Sequence, residues 1–286
     1  MTRSVVLITG TSSGIGAATA VAAARAGHSV IATMRDLEKR AALDDAARAA
    51  GVQLDVQQLD VTEAASVDDR LEYVHSEYGR LDALINNAGA GHVGTIEEES
   101  LEDVRDVMEV NFYGVVAVSR AALPLLRASR GRLVTVSSVG GVVGQPFNEA
   151  YCAAKFAVEG FMESLAPVAA TVGVRVTVVE PGAVATEFVA NVGVERSAPA
   201  AGSPYRPAFD AYIARTTAAF SPDRAQTAAG VADVIVGVLE DERPPARVQT
   251  SDAARGFAGV KLSDLDGSAV QSVTSGWVAG ASRLTT

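Results

Sequence analysis

Tyr151 and Lys155 stand four residues apart in YCAAK, with only Cys152, Ala153 and Ala154 between them. In a helix that spacing puts both side chains on one face, about one turn apart. A free phenol, with a pKa near ~10, is a poor proton donor or acceptor at neutral pH. A neighbouring ammonium stabilises the phenolate and lowers that value. The chemistry to expect is proton transfer to or from a substrate oxygen. Asn111 draws notice for a different reason: it lies inside the helical stretch Leu101–Arg127, where asparagine is a poor choice. The small residues beside the tyrosine leave that helix face slim enough for a flat ligand to lie against it. Cys152 reads as a packing residue.

A second chemical feature is the turn TGTSSGIG, Thr9–Gly16, between an apolar strand and an Ala-rich helix. In that context each glycine has a task. Gly10 permits a tight turn, Gly14 lets a pyrophosphate approach the backbone, and Gly16 lets the helix pack close to the sheet. The helix N-terminus, including Ile15, offers unpaired N–H groups and a positive dipole end, and Ser12 and Ser13 add hydroxyl donors. The turn therefore predicts dinucleotide binding.

The elements that must position these groups alternate in type. Strands are predicted at Val5–Thr9, Ser29–Thr33, Gln53–Leu59, Ala83–Ile85, Arg132–Val136, Val174–Val179 and Arg247–Thr250. Helices are predicted at Gly14–Ala26, Leu37–Ala50, Ser66–Tyr78, Leu101–Arg127, Glu149–Thr171 and Ala225–Leu239. Such alternation demands a parallel sheet with helices on both faces. Apart from Gln53–Leu59, which alternates polar and apolar residues, the core strands are continuously apolar, as strands buried on both sides are, so the expected fold is an α/β doubly wound sheet. The whole chain, 1–286, reads as one domain: a core of about 4–186, a substrate loop of about 187–221, and a C-terminal helix, strand and tail over 222–286. From about Asn191 to Ser221 periodicity fades into a loop or lid, and the tail after Ser251 has no clear period.

Composition sets limits. A formal net charge of −10 argues against nucleic acid, which needs basic clusters. No apolar run reaches the ~18 residues of a membrane span. One cysteine excludes an internal disulfide and fits a reducing, cytoplasmic setting. His28, His75 and His92 have no metal-ligand spacing, and no metal is expected. EEESLED, 97–103, reads as a solvated helix start. Met108, Met162, Phe156 and Phe161 read as helix packing.

TGxxxGIG is also the fingerprint spacing of the classical short-chain dehydrogenases/reductases, and the chain resembles that family from about Val5 to Thr186. Asp60 in LDVT, Asn86–Gly89 as NNAG, Asn111 in VNFYG, Ser138 in VSS, the YxxxK pair and Pro181–Gly182 follow in the family's order. The resemblance implies a Rossmann fold and hydride transfer with a proton relay through Asn111, Ser138, Tyr151 and Lys155. Ser138 would hold the substrate oxygen, Asn111 would hold a water linking Lys155 to solvent, and Ser137 would serve packing. It implies dinucleotide contacts from Asp60 and Val61 at the adenine, from Asn87, Ala88 and Gly89 at the adenosine ribose, and from Pro181, Gly182, Val184 and Thr186 at the nicotinamide, with Tyr151 and Lys155 beside it. Asp60 reads equally as an N-cap, and Asn86 as a brace of the sheet. ATMRDLEKR and the long C-terminal extension are similar to the retinol and 17β-hydroxysteroid dehydrogenase branch. Glu180 departs from the small or polar residue expected before Pro181.

The second strand ends in Met34, where an acidic residue would grip a ribose 2′-OH; Arg35 follows, suited to a 2′-phosphate. NADP(H) is therefore favoured over NAD(H), with Asp36 as the competing residue and Ser13 standing where some NADP relatives carry a base. Val142, Val143, Pro146, Phe147, Phe188 and Phe209 suggest an apolar pocket, and Arg196 and Arg206 are the cations near it. The expected substrate is a secondary alcohol or ketone, or an aldehyde/alcohol pair, on a mainly apolar small molecule. A non-catalytic redox sensor, or a dehydratase or epimerase on the same fold, is the alternative. The resemblance implies a homodimer or homotetramer through Leu101–Arg127 and Glu149–Thr171; the alternative is that the C-terminal tail covers their second face.

Overall fold

The structure is a computed structural model and describes residues 3–186, 192 and 194–278. Nine strands are described. The central sheet contains β1 (Val5–Ile8), β2 (Ser29–Met34), β3 (Asp55–Gln58), β4 (Ala83–Asn86), β5 (Arg132–Val136) and β6 (Arg175–Glu180). β7 (Val184–Ala185) and β8 (Gln226–Thr227) form a separate parallel pair, and β9 (Arg247–Gln249) returns to the sheet edge. The sheet is parallel throughout, in the order β3-β2-β1-β4-β5-β6-β9. This is the doubly wound arrangement the sequence predicts. The strand order reverses between β1 and β4, and ligands bind open α/β sheets at the carboxyl ends around that point.

The helices are α1 (Gly14–Arg25), α2 (Ala41–Ala50), α3 (Ala64–Tyr78), α4 (Leu101–Met108), α5 (Gly114–Ser129) and α6 (Glu149–Ala170). After them come α7 (Val194–Ser197), α8 (Arg206–Ala219), α9 (Ala228–Glu240), α10 (Asp252–Ser263) and α11 (Ser268–Val278). Alternate strand residues feed two cores. Leu7, Leu84 and Leu133 pack against α3, α5 and α6, and Ile8, Ile85 and Val134 pack on the face of α1 and α9. Small residues such as Ala20 and Ala23, both fully buried, bring α1 close to the sheet.

Five expectations are corrected. The stretch Leu101–Arg127 is not one α-helix: a π-helical turn, Glu109–Tyr113, separates α4 from α5. The segment read as loop contains α8, whose Phe209 and Tyr212 turn inward on Phe147. The tail read as aperiodic forms α10 and α11. Their buried residues are small or few, Ala254, Ala258, Val270 and Thr274, so the pattern is faint in sequence. Glu99 belongs to no solvated stretch: its side chain is 8% exposed and pairs with His92 at 2.5 Å, while Ser100 caps α4 in a reciprocal pair with Asp103. Phe156, read as packing, is 40% exposed, whereas Met162 is fully buried.

Candidate active site

The glycine turn leaves β1 with Gly10 at φ +70° and Gly14 at φ +59°, the left-handed region that glycine enters without strain. A Cβ on Gly16 would sit 2.2 Å from the Gly10 carbonyl oxygen and 2.4 Å from Asn87 Nδ2. Only a bare backbone permits that approach. Asn87 Nδ2 in turn donates to the carbonyls of Thr9 and Gly10, at 3.0 and 2.9 Å. The buried Thr9 hydroxyl accepts from the N–H groups of Asn87 and Ala88, at 3.0 and 2.9 Å. Thr9, read in the sequence as the last strand residue, is thus the staple between the first turn and the end of β4; its hydroxyl at a buried strand end was the available signal. Ser13 is extended and makes no cap bond with its side chain, and Ser12 lies half-buried in the same turn. Half-buried Ile15 packs against the core below. Thr186 faces Gly14, its Cβ and Cγ2 each 3.4 Å from where a Cβ on that glycine would be. A groove that tolerates no Cβ at Gly10 or Gly16 and presents the first N–H groups of α1 fits a pyrophosphate.

At the end of β2, Arg35 is exposed and Met34 buried. Asp36 is committed elsewhere: its Oδ1 accepts from Glu38 N at 3.0 Å and caps the next turn. Asp60 does not cap α3, whose N-cap is Glu63; it accepts from the N–H and hydroxyl of Thr62, at 3.0 and 2.7 Å. The Val61 side chain is buried against Gly114, so it turns toward the core. Asn86 ties β4 to α5, its Nδ2 donating to Ser119 Oγ at 2.8 Å.

Ser138 follows β5 and accepts from Gly140 N at 3.0 Å. The Tyr151 hydroxyl is hydrogen-bonded with Ser138. A Cβ on Gly140 would lie 3.3 Å from Ser138 Oγ and 3.4 Å from Tyr151 Cε1, so the turn closes over both. One turn along α6, Lys155 is 4% exposed; its Nζ donates to the Val136 carbonyl at 3.2 Å and lies 5.8 Å from the Tyr151 ring centre. Asn111 is fully buried in the π turn. Its Oδ1 accepts from Ala90 N at 3.2 Å, and its Nδ2 donates to the carbonyls of Ala90 and Val107, at 2.9 and 3.0 Å. A Cβ on Gly89 would be 2.8 Å from Asn111 Oδ1 and 3.6 Å from Lys155 Nζ. Ser138, Tyr151, Lys155, Asn111 and Gly89 therefore meet in one compartment.

The electrostatics reverse one expectation. The Tyr151 phenol is not pushed down by the ammonium. Burial pushes it up, opposed in part by the Ser138 hydrogen bond. Burial also lowers Lys155 to about 8, against an upward pull from Glu159. Desolvation disfavours both charged forms here, and the lysine points at a carbonyl rather than at the phenol.

The expected apolar pocket is also revised. Val142 and Val143 pack under Ala258 and Val270 of the tail, and Phe147, Phe209 and Tyr212 fill one another's space. Phe188, like 187–191 as a whole, lies outside the described residues, as does the Arg196 side chain. Arg206 is held by Asp210 at 2.8 Å. Pro181 is buried and Gly182 half-buried at the end of β6, and Val184 is buried in β7. Glu180 is fully buried, with Arg247 Nε at 2.7 Å and Gln249 Nε2 at 3.0 Å. Among the described residues no cluster could hold a metal ion, and no helix is long and apolar enough to cross a membrane.

The family profile described as short chain dehydrogenase matches residues 4–197. This chain is a short-chain dehydrogenase. It is 40% identical over 275 residues to retinol dehydrogenase 8 of Bos taurus, covering 92% of this chain and 86% of that protein. It is 38% identical over 285 residues to 17-beta-hydroxysteroid dehydrogenase type 1 of Homo sapiens, covering 94% and 84%. It thus belongs to the classical branch that holds those two enzymes. Among solved structures, a short-chain dehydrogenase from Streptomyces avermitilis aligns with TM-score 0.77 at 32% identity, covering 96% of each chain. One from Burkholderia phymatum in complex with NAD aligns with TM-score 0.78 at 26% identity, over 92% and 94%. The alcohol dehydrogenase from Thermococcus sibiricus complexed with 5-hydroxy-NADP aligns with TM-score 0.71 at 25% identity, over 87% and 96%. As a member of the family this short-chain dehydrogenase is an oxidoreductase that binds a nicotinamide dinucleotide and acts on small molecules.

Proposed function

We propose that this enzyme interconverts a ketone and a secondary alcohol, or an aldehyde and an alcohol, on a mainly apolar small molecule, with NADP(H) preferred. The observation that carries the reading is the Ser138–Tyr151 hydroxyl pair beside Lys155 and Asn111. When bound, the nicotinamide supplies the hydride. Ser138 and Tyr151 bind the carbonyl oxygen, and Tyr151, kept protonated by its burial, donates a proton to it as charge develops. Lys155 Nζ and Asn111, across Gly89, restore that proton from solvent. The first turn and residues 87–89 fix the dinucleotide, with Pro181, Gly182, Val184 and Thr186 at its reacting end and Asp60 and Val61 near its base.

The cofactor preference rests on Arg35, exposed where a 2′-phosphate would lie, and on Asp36, whose carboxylate is engaged by Glu38 N. The names of the relatives point to an apolar terpenoid or steroid-like skeleton. Exposed Leu101, Tyr113 and Phe156 favour a second copy of the chain against α4 and α6. The test is NADPH oxidation, followed by absorbance, over a panel of retinal, a 17-ketosteroid and cyclohexanone. Turnover that Tyr151→Phe reduces by a factor on the order of 10³ supports the reading. Firm dinucleotide binding without any turnover favours a sensor instead.

A further inference from the structure

Lys155 presents a problem of charge. It is buried, its one described hydrogen bond goes to a neutral carbonyl, and burial opposes its ionisation. A buried ammonium needs a counter-charge. The charged group acting on it is Glu159, one turn further along the same face of α6. Glu159 is itself 5% exposed.

The surroundings of Glu159 join three strands to the catalytic helix. A Cβ on Gly141, in the turn after Ser138, would lie 2.9 Å from Glu159 Cγ, 3.0 Å from the Lys155 carbonyl oxygen and 2.7 Å from Ser137 Oγ. The stem of Glu159 thus packs directly beneath the turn that carries Ser138. From β9, Arg247 Nε lies 3.4 Å from Glu159 Oε2 and 2.7 Å from Glu180 Oε1, and Arg247 Nη2 lies 3.2 Å from the exposed Glu163. The Ser137 hydroxyl stands close enough to lower the proton affinity of Glu159, though without an aligned hydrogen bond among the described residues. The groups facing Glu159 are therefore Lys155 and Glu163 from α6, Ser137 after β5, Glu180 from β6 and Arg247 from β9. Two buried acids face two cations: Arg247 serves Glu180 at short range and Glu159 at 3.4 Å, and Glu159 is the acid whose charge acts on Lys155. A cleft of about 210 Å³ between α6, β6 and β9 is walled by Glu159, Glu163 and Arg247, while both Glu159 carboxyl oxygens are themselves buried.

We propose that Glu159, held by Arg247 of the last strand, is a positioning residue for the Tyr151–Lys155 pair: its carboxylate keeps the lysine charged from behind the reaction centre. The proposal rests on the proton-relay reading above, yet its test does not require turnover. The chain has three lysines, Lys39, Lys155 and Lys261, so lysine labelled with ¹³C at Cε gives a resolvable NMR titration of the full-length protein without cofactor. Lys155→Arg assigns the signal. The Lys155 midpoint is expected to fall by about one pH unit in Glu159→Gln, and by less in the same direction in Arg247→Gln. It should stay unmoved in Glu163→Gln, whose side chain is solvated. In an active enzyme the alkaline limb of kcat/KM for ketone reduction moves down with it. A purely structural Glu159 would lower activity at every pH and leave the midpoint in place. A Glu159→Gln protein, folded by circular dichroism, whose Lys155 midpoint lies within about 0.2 units of the parent overturns the proposal. If Tyr151→Phe retains full turnover, the catalytic reading fails while the midpoint still decides this one.

Discussion

The side chain of Asn111 and the backbone of Ala90 form a reciprocal pair, Oδ1 accepting from Ala90 N–H and Nδ2 donating to Ala90 C=O. The same Nδ2 covers Val107 C=O, a group that a continuous α-helix would satisfy through the backbone. The π turn, with its bond from Gly114 N–H to Glu109 C=O, shifts the ladder by one residue and makes the asparagine necessary. The turn at the mouth of β4 is thereby clamped onto the helix that carries the relay.

That clamp predicts the cost of removing it. Asn111→Leu keeps the branched outline of the side chain but leaves the buried Val107 carbonyl and the part-buried Ala90 groups without their partner, ~1–3 kcal/mol for the buried group. Urea unfolding should give a loss of at least ~2 kcal/mol, with the dinucleotide bound more weakly because Gly89 shifts. Retention of parental stability would mean that the π turn satisfies itself.

Gly16→Ala should be the most damaging single methyl in the chain. The added carbon would meet Gly10 O at 2.2 Å and Asn87 Nδ2 at 2.4 Å, and the first of these is backbone that must move. Isothermal titration should find NADPH binding weakened by more than about tenfold, since Gly10 belongs to the phosphate turn and Asn87 Nδ2 holds that turn's carbonyls.

Arg35→Asp should lower the ratio of NADPH to NADH efficiency by at least about tenfold, through loss of a cation and gain of repulsion. Asp36→Ala is the contrasting variant: it removes a cap worth ~1 kcal/mol and should leave the ratio alone. A ratio controlled by Asp36 rather than Arg35 would reverse the preference proposed above.

Glu159 also predicts a pH dependence of stability. Its carboxyl is raised by burial from 4.5 to about 7, so the folded chain binds that proton more tightly than the unfolded chain between those values. Stability from this group is full below about pH 4.5 and is lost as pH rises through about 7. Glu159→Gln removes the slope. Relative to the parent it should gain on the order of 1–2 kcal/mol on going from pH 5 to pH 7.5 in urea titrations. An unchanged difference would mean that the carboxyl is ionised throughout.

Much of this architecture was legible from local pattern. The five inner strands read as apolar runs because both faces are buried, and Gly27, Gly51 and Gly79 stand just past helix ends at positive φ. Ser138, Tyr151, Lys155 and the glycine turn were legible because their roles impose spacing. Other features depend on contacts distant in sequence. Thr9 gains its importance from Asn87 and Ala88, 78 and 79 residues away. Glu180 looked anomalous until β9 brought Arg247 beside it. The sign of the Tyr151 shift required knowing how the surrounding packing desolvates the phenol. α10 and α11 were missed because small side chains at their contacts give little amphipathic contrast.

The valine pair that follows Ser138 has no cover of its own, since Ala258 and Val270 of the last two helices provide it. A premature stop codon anywhere before Asp252 would therefore bare an adhesive patch next to the reaction centre. Such a product should be found in the insoluble fraction of a cell extract, not as a shortened enzyme of altered specificity.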